Sequence, residues 1–271
     1  MTLIFLTMIV FAACNPKDVV FKSDTVIKYS NLVKGYLERA HALTILLKPK
    51  NAFQKELYRM IAYQYSLAEK AYARARALEL KGEYAKAVAT YLVSLYHSLV
   101  AQEASNFAVA NTLNDVSSNL RKLGELAVSA SFSLYRASCL SPACPNSTRV
   151  VYVNSYLLMK NVTKRINFLV DNLPATLNEV LAKSIEELVK DTERIVVLAY
   201  AHAALAEASS AKDFALLGQA PCPAGVGTAN WLPSACYYIS HSSKPSPCSQ
   251  FYGFVSYYIG LKDLSMRLCG G

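Results

Sequence analysis

The stretch ARALELKGEYAKAVATY, residues 75–91, decides the architecture. A long run rich in Ala and Leu reaches Gly82, and an equally Ala-rich run leaves from Tyr84. Glycine takes up left-handed backbone without a side-chain clash, so a Gly between two helix-forming runs reads as a tight turn between helices. Upstream, Tyr58, Tyr65 and Tyr72 recur every seven residues, with Ile61, Ala68 and Ala75 three residues further on in each case. Downstream, Tyr84, Tyr91 and Ser98 form one row, and Val88, Leu95 and Gln102 form another. A repeat of large and small side chains at this period keeps one stripe of each helix turned toward its neighbour. The two runs are therefore expected to close as an antiparallel hairpin hinged at Gly82.

Helical patterning extends outward from this hairpin in both directions. Between Thr25 and Ser138 the only Gly and Pro residues are Gly35, Pro49, Gly82 and Gly124. A first helix is expected to start after Asp24, capped by its carboxylate, and to stop before Pro49. Asn51 is expected to cap the second helix, which runs to about Leu80. Further helices are expected over 113–138, started by Asn114 or Asp115, over 147–170 after the Pro145-Asn146 turn, and over 174–210 from Pro174. The last carries Leu177, Leu181, Ile185, Leu188 and Ile195 on one face and acidic residues on the other. No run alternates with period two for long enough to make a strand. The fold class is therefore all-α, an elongated antiparallel helical bundle over residues 24–217.

Both ends of the chain differ from this body. LIFLTMIVFAACNPKD, residues 3–18, is an apolar run ending in Ala12, Ala13 and Cys14. Its length suits the core of an export signal, although no Lys or Arg precedes it, and it is short for a membrane span of about 20 residues. Phe11-Ala12-Ala13-Cys14 resembles a lipoprotein signal, which implies lipidation of Cys14 after removal of the residues before it. Residues 1–14 are thus expected to direct export and to tether the protein to a membrane through its N-terminus, on the extracytoplasmic side. Six cysteines remain: Cys139, Cys144, Cys222, Cys236, Cys248 and Cys269. An even set in turn-rich sequence reads as disulfide staples, with Cys139 bonded to Cys144 and the last four consumed among themselves. Asn146 and Asn161 each begin a glycosylation sequon. Residues 218–271 form a cap rich in Cys, Pro and aromatic residues, with an irregular loop over 220–250 and a final helix from about Phe251 to Leu268. Trp231, Tyr237, Tyr238, Phe251 and Tyr252 crowd there and mark a candidate contact surface, since large rings with polar tips suit both interfaces and cores.

Charge and composition narrow the functional classes. An apolar fraction of 53% with 17% charged residues excludes disorder as the main state. The net charge of +9 favours acidic partners, and it is uneven. Residues 17–59 hold nine Lys or Arg against four Asp or Glu, whereas residues 179–213 hold seven acids against four bases. Lys22, Lys28, Lys34, Arg39, Lys55 and Arg59 could touch phosphates, but their spacing makes no stripe, so nucleic-acid binding stays an alternative. His41, His97 and His202 fall singly within helical patterns and read as structural. Glu186, Glu187, Asp191 and Glu193 interleave with Lys183, Lys190 and Arg194 at helical spacing, which reads as a salt-laced, solvated face. Gly225-Val226-Gly227 lacks the Lys and the strand-to-helix setting of a phosphate loop. No catalytic site, cofactor site or metal site is expected. A protein partner or self-assembly is.

Two resemblances bear on this reading. Ala75, Gly82, Tyr84, Ala87 and Tyr91 fall where the tetratricopeptide repeat places its small, turn and aromatic residues. The closing Pro is missing and no second copy follows, so the resemblance implies one hairpin of that packing and not a repeat array. The order of KGEYAKAVATYLVSLYHSLVA (81–101) and VVLAYAHAALAEASSA (196–211) is similar to the helical region that follows the protease domain in secreted archaeal Lon-like proteases. That likeness spans about residues 25–215. The Ser and Lys dyad of such proteases has no counterpart in this sequence, so the resemblance implies an accessory subunit or a degenerate relative. The reading that results is an exported, membrane-associated helical binding or structural module.

Overall fold

In the computed structural model, which describes residues 21–139, 147–208, 255–256 and 258–261, the hairpin is in place. Helix α2 spans Ala52–Leu80 and α3 spans Tyr84–Ala108. Gly82 turns the chain between them with φ +74°, in the left-handed region where an L side chain is strained. The small residues of the seam let the helix backbones approach: Ala68, Ala75 and Ala87 are wholly buried, and the Ser94 hydroxyl donates to the Ala68 carbonyl at 2.8 Å. Replacing Ala75 or Ala87 with Leu should cost about 1–3 kcal/mol, the usual penalty of overpacking. Thermal unfolding of either variant checks this, and an unchanged melt would mean that the helices are not pressed together there.

Among the described residues there are six long helices and no strand. The other four are α1 (Ser23–Leu46), α4 (Leu113–Cys139), α5 (Ser147–Asp171) and α6 (Glu179–Ala208). Helix α3 is the centre. Every residue from Ala87 to Tyr96 is buried, because α1 and α2 pack on one side of it and α6 on another. Its sequence allows this: over residues 84–108 only Lys86 and Glu103 are charged. Helices α4 and α5 pair with each other, and α6 lies against both as well as against α2 and α3. Polar side chains cross-link the bundle by bonds to backbone carbonyls of neighbouring segments. The Gln54 side chain donates to the Ala110 carbonyl at 3.1 Å, the Tyr58 hydroxyl to the Thr44 carbonyl at 2.7 Å, and the Gln102 amide to the Tyr36 carbonyl at 2.9 Å.

The helix starts separate two kinds of signal. Asn51 caps α2 as expected, its side chain accepting from the Gln54 amide at 2.8 Å. Asp24 does not cap α1. The cap position is Lys22, and Asp24 lies inside the first turn, where its charge meets the free amides as a field and not as a hydrogen bond. Thr112, not Asn114 or Asp115, caps α4. Its hydroxyl accepts from the Asp115 amide at 3.1 Å while Asp115 accepts from the Thr112 amide at 2.9 Å, a reciprocal box with Asp in place of the usual Glu. Helix α6 starts at Asn178, whose side chain accepts from the Leu181 amide at 2.9 Å, and not at Pro174. The final helix does not run unbroken from Phe251 to Leu268. Gly260 adopts φ +90°, and the Leu261 amide bonds back to the Ser256 carbonyl at 2.6 Å, which is a helix-ending turn.

Candidate functional site

The acidic tract of α6 is where structure and sequence part. One turn behaves as a solvated ion ladder: Lys190 pairs with Glu186 at 2.6 Å and with Glu187 at 3.5 Å. Directly after Lys190 the helix is sandwiched between α3 and the α4–α5 pair, and Asp191, Thr192 and Glu193 are all buried. The expected solvated face is therefore wrong for Asp191 and Glu193, because neighbours close over both sides of the helix at that point.

Those two acids meet different environments. Asp191 is neutralised: Arg165 of α5 reaches it at 2.9 Å, and Arg194 binds its other oxygen. Arg194 also donates from Nε to the Ile259 carbonyl at 2.7 Å, which ties the C-terminal turn to α6. A Cβ on Gly260 would meet that guanidinium at 2.9 Å, a second reason besides φ for glycine there. Glu193 faces the other way. It is 2% exposed, and its Oε2 has no hydrogen-bond partner. Burial, with Glu103 of α3 adding to it, pushes its carboxyl up to about 8, so it holds its proton at neutral pH. Glu103 is itself raised, first by burial, while a hydrogen bond from Asn106 at 3.2 Å and the charge of Lys122 on α4 pull it back.

Both carboxyls line a groove of about 620 Å³ between α1, α3, α4 and α6. Leu43, Leu99, Leu126 and Val196 give it apolar walls, and Tyr36 and Tyr200 lie at its side. Arg39 of α1 lines it too, with its guanidinium 5.6 Å from the centroid of the Tyr36 ring. A carboxyl held neutral by burial, next to a second acid, can donate a hydrogen bond or exchange its proton for another cation. A volume of this size and an apolar wall with few convergent polar groups are the usual features of a small-molecule site.

Of the residues singled out by sequence, few fall in the described parts. Cys14, Cys144, Cys222, Cys236, Cys248, Cys269, Asn146, Trp231, Tyr237, Tyr238, Phe251 and Tyr252 lie outside them, as do both proposed disulfide groups. Cys139 ends α4, with its side chain outside the described set. Asn161 is exposed on α5. His41 is exposed, its ring 5.1 Å from that of Tyr65. His97 bonds to Gln64 at 2.6 Å between α3 and α2, and burial, helped by Lys190, lowers it to about 4, so it is neutral. Among the described residues no three His, Cys, Asp or Glu side chains gather to hold a metal, and no helix is long and apolar enough to cross a membrane. Sequence reasoning missed Glu193 and Glu103. A signal was present: Val189, Glu193, Val197 and Tyr200 share one face of α6, so Glu193 stands alone in an apolar row.

The fold and groove define an all-α helical bundle with an open groove that two carboxyls line. Comparison with protein-family models, curated proteins and solved structures gives no match.

Proposed function

We propose that this chain is an exported helical binding module, tethered through Cys14 to the outer side of a membrane, that takes a small ligand in the groove between α1, α3, α4 and α6. The observation that supports binding is Glu193: a buried carboxyl in the wall of an open groove, with one oxygen left without a partner, costs stability and is the kind of feature that ligand sites retain. The N-terminal residues 1–14 support the export half by their apolar run into Ala12-Ala13-Cys14. The six cysteines after it, expected as staples, and the aromatic cap point to the same compartment. Native mass spectrometry of the full chain purified from an exporting host tests both halves. A mature start at Cys14 carrying lipid mass is expected, together with a non-covalent small-molecule adduct that Val196→Trp, which fills the groove, removes. An intact Met1 would overturn tethering. An adduct that survives Val196→Trp would place binding elsewhere.

A further inference from the structure

We propose that the groove is a site for an organic ammonium ion, held between Glu193 and Glu103 with its hydrocarbon part against Leu43, Leu99, Leu126 and Val196. This rests on the groove being a ligand site at all. The class of ligand follows from what the groove lacks. Glu193 holds a buried carboxyl oxygen with no partner in the protein, so a ligand that takes the place of its proton and donates N–H bonds to the carboxylate would satisfy it. The second acid, Glu103, comes from the facing helix α3, so an anion is repelled and a cation is drawn to the space both share. A divalent metal ion of the oxygen-seeking kind takes about six or more oxygen ligands, and these two acids with their neighbours do not gather such a set. An alkylammonium satisfies all three features: it donates N–H bonds, it carries positive charge, and its chain covers the leucines.

Binding of this kind moves a proton. Unliganded, Glu193 keeps its carboxyl proton at neutral pH, since burial and Glu103 raise it to about 8. The ammonium favours the carboxylate, so the proton leaves to solvent as the cation arrives, and charge in the groove is conserved. The other groups around Glu193 are Glu103 and Tyr96 on α3, Tyr36 and Arg39 on α1, and Asp191, Arg194 and Tyr200 on α6, while Lys122 on α4 acts on Glu103. Asp191 and Arg194 pair with each other, and the tyrosines Tyr96 and Tyr200 are raised to about 12, which leaves the two raised carboxyls, Glu193 at about 8 and Glu103 beside it, to change charge on binding. Arg39 is the one wall residue that opposes a cation, and it sits over the Tyr36 ring.

Isothermal titration of the full chain with n-hexylammonium and with n-hexanol, at about pH 6, 7 and 8 in phosphate and in MOPS, tests this. Hexylammonium is expected to bind about tenfold more tightly per pH unit up to pH 8, with release of up to one proton read from the difference between buffers. Hexanol should bind more weakly, without pH dependence. Glu193→Gln should remove the proton release and most of the hexylammonium affinity, and Glu103→Gln should weaken hexylammonium about tenfold while leaving hexanol unchanged, which keeps the test decisive if the first variant folds poorly. Equal binding of the two probes without proton release would overturn the ammonium assignment and leave an apolar ligand groove. No binding of either probe at millimolar concentration would overturn both that assignment and the groove as a ligand site.

Discussion

Glu193→Gln should melt higher than the parent protein at pH 7 and level with it at about pH 4.5. The sign follows from the raised carboxyl. A group whose folded value lies above its unfolded value gives its full stability below the unfolded value and loses it as pH rises through the folded one. For Glu193 the window runs from 4.5 to about 8. At pH 7 the unfolded chain has released the proton and the folded chain still holds it, a difference of ~3 kcal/mol against folding. Gln keeps the shape and a buried amide in place of the neutral carboxyl but does not ionise, so that penalty disappears, and the melting temperature should rise by roughly 6–12 °C. His97 runs the opposite way. Lowered to about 4, it loses stability as pH falls from 6.5 through 4, but it does so in both proteins and cancels in their difference. Scanning calorimetry across this range reads the effect. A variant less stable than the parent at pH 7 would mean that Glu193 is charged and paired in the native state, and the cleft would not be built as described.

How far the sequence could be read is clearest on α3 and α6. The hairpin seam needed only spacing: Ile61, Ala68 and Ala75 mark the buried row of α2, and each is wholly buried. The central place of α3 was also written in composition, since a helix with Lys86 and Glu103 as its only charges has no polar face to give to water. The cap at Asn51 was legible, whereas Thr112 was overshadowed by the neighbouring Asn114 and Asp115 of similar chemistry, and Asn178 by Pro174, read as the helix start four residues earlier. Helix α6 was misread because local spacing cannot report a neighbour from elsewhere in the chain. Lys190 lies within reach of Glu186 and Glu187, and the same rule applied one turn later predicts a solvated ladder. The apolar row of Val189, Val197 and Tyr200 hints that Glu193 is buried, but its partner Glu103 on α3, and Arg165, which reaches Asp191 from 26 residues away on α5, come from elsewhere in the chain.

The same helix carries a charge cluster of the opposite energetic sign, and Arg194→Ala should expose it by costing ~3 kcal/mol, the scale on which removing one partner leaves a buried charge uncompensated. Asp191 is 8% exposed and is held by two guanidiniums, so Arg165 remains and keeps the loss at the lower end of that range. The other consequence lies at the C-terminal turn. Arg194 is the donor to the Ile259 carbonyl at 2.7 Å, and it fills the space beside Gly260 that a side chain there would need. Without it that carbonyl loses its charged donor, and Val255 and Ile259, both buried against the bundle, are no longer tied to α6 by a hydrogen bond. Arg194→Lys should recover only part of the stability, since one ammonium cannot bind Asp191 and reach Ile259 with the geometry of a planar fork. The urea midpoint gives the first result, and exchange protection of the Leu261 amide, which bonds to Ser256 at 2.6 Å, gives the second. An unchanged midpoint in Arg194→Ala would show that Arg165 alone compensates Asp191. Unchanged protection of Leu261 would show that the turn is held by the packing of Val255 and Ile259 and not by the guanidinium.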